Sequence, residues 1–128
     1  MRKLLLALAA WHAGNGAFML AAPEAWYEFV PGVTETGAIN LHFIRDIGLG
    51  FLAAAAGIFL AATRDADRQI LVPAVVFLGG HAGFHAAEML THGTTAVAAF
   101  RDIALIVVPA LLPLSGILAA GARVRSGR

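Results

Sequence analysis

The stretch "GGHAGFHAAEMLTHG" (79–93) closes an apolar run that begins at Ile70. His81, His85, Glu88 and His92 stand four, three and four residues apart. At about 100° per residue they fall within roughly 60° of one another on a helix. The rest of the stretch is Gly, Ala, Phe, Met and Leu, with Thr91. A polar stripe this narrow on an apolar helix is very costly against lipid, so it must face other helices or a water-filled cavity.

Working outward, the chain has 128 residues, of which 59% are apolar and 13% charged. Its mean hydropathy is +0.78. A soluble domain of this length could not hide so much apolar surface. Four apolar runs, each about the 20 residues that cross a bilayer, predict helices over 3–22, 39–63, 69–91 and 96–122. The expected fold is all-α, one four-helix transmembrane domain over 1–128.

Charge placement sets the expected orientation. Arg2 and Lys3 precede the first run, Arg64 and Arg68 separate the second and third, and Arg123, Arg125 and Arg128 follow the fourth. The other two connections lack Lys and Arg, and the first carries Glu24, Glu28 and Glu35. The positive-inside rule then puts both termini in the cytoplasm of a bacterial inner membrane, with 23–40 and 91–95 outside. A cleaved signal peptide is the competing reading of the N-terminus, but Trp11, His12 and Asn15 interrupt its apolar region.

Two motifs recur. His-Ala-Gly appears at 12–14 and 81–83, and Arg-Asp-Ile at 45–47 and 101–103. The order predicts two tandem hairpins of the same orientation, related by a pseudo-two-fold axis along the membrane normal. His12 and His81 then share one depth, and His42, Arg45, Asp46, Arg101 and Asp102 enter from the outer side.

This polar set fits a transition metal such as Zn, Cu, Fe or Mn. His81 and His85 have the i, i+4 spacing that brings two imidazoles to one ion, Glu88 is one turn on, and His12 or His42 completes the shell. The structural alternative is interhelical hydrogen bonding. For Arg45, Asp46, Arg101 and Asp102 the structural reading leads: crossed pairs, Arg45 with Asp102 and Arg101 with Asp46, locking the hairpins together. The functional alternative is an anionic group held by the arginines. A second cofactor reading is haem b, with His12 and His81 as axial ligands and Arg45 and Arg101 on the propionates. A third makes the stripe an interface, in a non-catalytic accessory or assembly subunit of a homo-oligomer or larger membrane complex. Proton-coupled solute passage lacks a polar path through the inner half.

Gly14, Gly16, Gly48, Gly50, Gly79, Gly80 and Gly83 let helices pack closely. Pro109 and Pro113 should kink or loosen the fourth helix below Asp102. Trp26, Tyr27 and Phe29 predict a short interfacial segment that could lie over the polar cluster as a lid. The absence of cysteine excludes disulfides and thiolate chemistry. No glycine-rich nucleotide motif or basic nucleic-acid patch is present, and Ser115 lies away from the histidines.

Four short helices, a polar pocket near their outer ends and Arg45-Asp46 at the start of the second resemble the small bacterial membrane proteins of the DoxX-like kind. The resemblance covers the whole chain. It is one of plan and implies the fold alone.

Overall fold

In the computed structural model, residues 1–63 and 68–114 are described. Arg64, the Arg68 side chain, Ser115, Arg123, Arg125, Arg128 and the part of the fourth expected helix beyond 114 lie outside the described residues. The regular structure among the described residues is helical: α1 (Arg2–Ala21), α2 (Pro23–Phe29), α3 (Leu41–Thr63), α4 (Leu71–His92), α5 (Ala96–Asp102) and α6 (Val108–Leu111). Among the described residues two helices, α1 and α3, are long and apolar enough to cross a membrane. At 22 residues α4 is also long enough, but its histidines and Glu88 dilute its apolar character.

Each long helix buries one stripe. Leu5, Leu8, Ala9, His12, Gly16 and Met19 line the inner face of α1. Ile44, Gly48, Phe51, Ala54, Ala55, Ile58 and Ala61 do so on α3, and Leu71, Ala74, Leu78 and Ala82 on α4. This i, i+3/i+4 rhythm is the signature of a packed helix face. Large apolar side chains also point outward, among them Trp11, Phe43, Leu49, Phe59, Val76, Phe84 and Leu90.

The tightest crossing joins α1 to α3 at Gly16 and Gly48. A Cβ on Gly16 would lie 2.6 Å from the Gly48 carbonyl oxygen, and one on Gly48 would lie 2.9 Å from the Met19 Cβ. Only glycine permits that approach. Gly50 accommodates the edge of the Phe77 ring from α4 in the same way. Gly14, Gly79, Gly80 and Gly83 face open space among the described residues, so close packing explains only part of the glycine set.

Local chemistry sets the helix ends. Asn40 accepts from the Phe43 N–H at 3.0 Å ahead of the first turns of α3, and Thr95 accepts from Ala98 at 3.2 Å to cap α5. Pro23 opens α2, where its missing N–H costs nothing. Between α5 and α6 the chain passes through a π-helical turn, Ile103–Val107, with the Val108 N–H bonding back to the Ile103 carbonyl. Pro109 has no N–H for the Leu105 carbonyl four residues earlier, and the wide turn absorbs that missing rung. The expected loosening below Asp102 is therefore seen as a break in the regular helix.

Candidate functional site

His12 is the residue from which the site is built. It is 3% exposed, the one fully buried polar side chain among the described residues. Neither ring nitrogen has a hydrogen-bond partner there. The ring stacks on Phe51 of α3, with centroids 5.8 Å apart and planes 17° apart. Phe51 meets His81 of α4 edge-on at 5.4 Å, and His81 meets His85 at 4.8 Å. His12 of α1 and His81 of α4 thus flank the phenyl ring of α3, and His85, one turn further along α4, meets His81.

A small cavity of about 40 Å³ opens beside this cluster, lined by Trp11, His12, Phe51, His81, Leu105 and Ile106, with Leu78 and Ala110. It has room for an ion or a few waters. The Pro109 carbonyl faces His12 without completing a hydrogen bond. Pro113, four residues on, has no N–H to give that carbonyl its regular helical donor. On the other side of the cluster, His85 Nδ1 stands 3.7 Å from Asp102 Oδ2, just beyond hydrogen-bond range. Arg101 Nε donates to Asp102 Oδ1 at 2.7 Å, holding the carboxylate in place.

Several expected partners are arranged differently. The crossed ion pairs are not formed: Asp102 pairs with its neighbour Arg101, Asp46 with His42 at 3.3 Å, and Arg45 is exposed with no ion pair among the described residues. The reason is reach within the helix. His42 and Asp46 are one turn apart on α3, and the adjacent Asp102 gives Arg101 a carboxylate without crossing the bundle. His42, with its side chain 89% exposed, lies about 13 Å along α3 from Phe51. Glu88 and His92 are exposed, His92 contacting the Thr91 hydroxyl at 3.1 Å. The four-residue stripe therefore divides, with His81 and His85 at the cluster and Glu88 and His92 beyond it. Among the described residues, no three of the His, Asp and Glu side chains converge at metal-ligand spacing.

The 23–40 connection forms helix α2. Trp26 Nε1 donates to Asn15 Oδ1 at 2.9 Å, fixing α2 to α1, and the Tyr27 hydroxyl donates to the Gly37 carbonyl at 2.8 Å. None of its residues lines the His12 cavity. Its contact with the site region is through Gly32, which lies under the Arg101 guanidinium.

The sequence reading did not identify Phe51, although "GLGF" (48–51) places a large ring among glycines on the buried α3 stripe. The Pro-x-x-x-Pro spacing of 109 and 113 leaves the Pro109 carbonyl without its regular i+4 donor. Compared with protein-family models, curated proteins and solved structures, the chain matches none.

Proposed function

We propose that the protein is a four-span membrane bundle that binds a transition-metal ion at its histidine cluster, for metal handling or redox chemistry. His81 and His85 are the core ligands and His12 the third donor. The observation that carries this reading is the buried His12 ring with two unpartnered nitrogens beside a cavity shared with His81. Leaving a buried polar group unsatisfied costs about 1–3 kcal/mol, and a bound ion would remove that cost.

The surroundings support the same chemistry. A metal-bound imidazole usually gives its other N–H to a carbonyl or carboxylate, which fixes the ring. His12 has the Pro109 carbonyl facing it for this purpose, and His85 has Asp102. An imidazole-dominated donor set suits zinc, copper or iron. Closing three donors on one ion requires the Phe51 ring to turn aside, so binding and a local rearrangement go together. Haem b draws no comparable support, since Phe51 packs against both candidate axial rings and the cavity is far smaller than a macrocycle.

Outward apolar side chains on α1, α3 and α4 and the 22-residue length of α4 support three of the proposed spans, and the apolar run 96–122 supplies the fourth in the sequence. The test is equilibrium dialysis of the detergent-purified protein against Zn²⁺, wild type beside His81→Ala/His85→Ala. The reading expects one saturable site in the wild type and its loss in a double variant that still folds. Equal uptake by both would remove these histidines from the site.

A further inference from the structure

A second groove lies between the 32–36 turn and the start of α5. A groove of about 450 Å³ is lined by Glu35, Thr94, Thr95, Ala98 and Arg101, with Gly93 and Val97. That volume falls within the roughly 300–1,000 Å³ of small-molecule sites. One acid and one base share it.

Arg101 is held in position there. Its Nε donates to Asp102 at 2.7 Å, and its terminal nitrogens lie over Gly32 so closely that a Cβ would sit 2.8 Å from Nη2. Gly32 has φ of 87°, a conformation glycine adopts without strain, so the turn is shaped to admit the guanidinium. Asp102 takes one of five N–H donors. Among the described residues the terminal nitrogens have no acceptor, and the side chain is 30% exposed. Glu35 makes no ion pair among the described residues. The groove therefore presents a fork of unspent donors and an uncompensated carboxylate.

We propose that this groove binds a phospho-ammonium zwitterion, with the phosphate on Arg101 and the Thr94 hydroxyl and the ammonium on Glu35. The guanidinium fork matches phosphate geometry. A simple anion would be repelled by Glu35 and a simple cation by Arg101, whereas one ligand carrying both charges satisfies both walls. In the orientation that charge placement predicts, the groove opens toward the outer leaflet. A phosphatidylethanolamine headgroup has this chemistry, and so does free phosphoethanolamine. The inference is independent of the metal site.

The experiment titrates the full chain in detergent with dihexanoyl phosphatidylethanolamine, dihexanoyl phosphatidylglycerol and phosphoethanolamine, reading binding by native mass spectrometry. Wild type is compared with Glu35→Gln and Arg101→Gln; Glu35 is exposed, so the first variant keeps the test open if the second misfolds. The proposal expects saturable binding of the ethanolamine lipid, preferred over the glycerol lipid. Glu35→Gln should weaken that binding by about tenfold, in line with one charge-assisted hydrogen bond, and abolish the preference. Phosphoethanolamine binding as tightly as the lipid would support the site with a soluble ligand. Equal binding of the two lipids by the wild type, or no saturation by any of the three probes, would overturn it.

Discussion

At the scale of single residues, His12 concentrates the argument. Its imidazole lies in the core with neither nitrogen satisfied among the described residues, so in the metal-free protein it costs stability that an apolar side chain of similar size would not. His12→Leu should therefore leave the metal-free protein unchanged or stabilised by up to about 1–3 kcal/mol, while lowering Zn²⁺ affinity at least tenfold. Thermal unfolding in detergent, with and without Zn²⁺, checks both halves. Destabilisation of the metal-free protein would show that His12 has a structural partner. The sequence made His12, His81 and His85 visible because a charged or polar group inside an apolar run stands out. It could not make Phe51 visible, because a phenyl ring in such a run is indistinguishable from any other core residue until three helices are packed around it. For Arg101 and Asp46 the repeat symmetry points to distant partners, whereas an adjacent and a one-turn neighbour are closer.

At the scale of elements, the glycines separate into two groups that predict opposite outcomes. Gly16→Ala places a methyl 2.6 Å from the Gly48 carbonyl oxygen. It must force α1 and α3 apart, at about 1–3 kcal/mol, the usual cost of overpacking. Gly83→Ala meets open space and gains helix propensity of about 1 kcal/mol. Unfolding temperatures of the two variants should therefore move in opposite directions. A loss of stability in Gly83→Ala would mean that this face of α4 is covered in the native assembly. The helices themselves were legible as apolar runs, and the prolines foretold the disturbance after Asp102. Its form as a π turn was not legible, since run length and hydropathy do not record hydrogen-bond register.

At the scale of the whole molecule, the account requires both termini on one side of the membrane and the α2 region on the other. The absence of cysteine makes this directly measurable. Single cysteines at Glu35 and Thr94 should react with a membrane-impermeant maleimide added to intact cells, and cysteines at Lys3 and Thr63 only after permeabilisation. Labelling of the Lys3 position in intact cells would reverse or dismantle the topology. Charge placement alone predicts this plan, and two of the described helices are long and apolar enough to cross a membrane.

The measurement that bears most directly on the central claim is elemental analysis, with an optical spectrum, of protein purified from cells in mild detergent without chelators. Wild type would be run beside a folded His81→Ala/His85→Ala variant. The account predicts close to one transition-metal ion per chain in the wild type, lost in the variant, with no Soret band. A well-folded wild-type protein that carries no metal and takes none up on dialysis would contradict it.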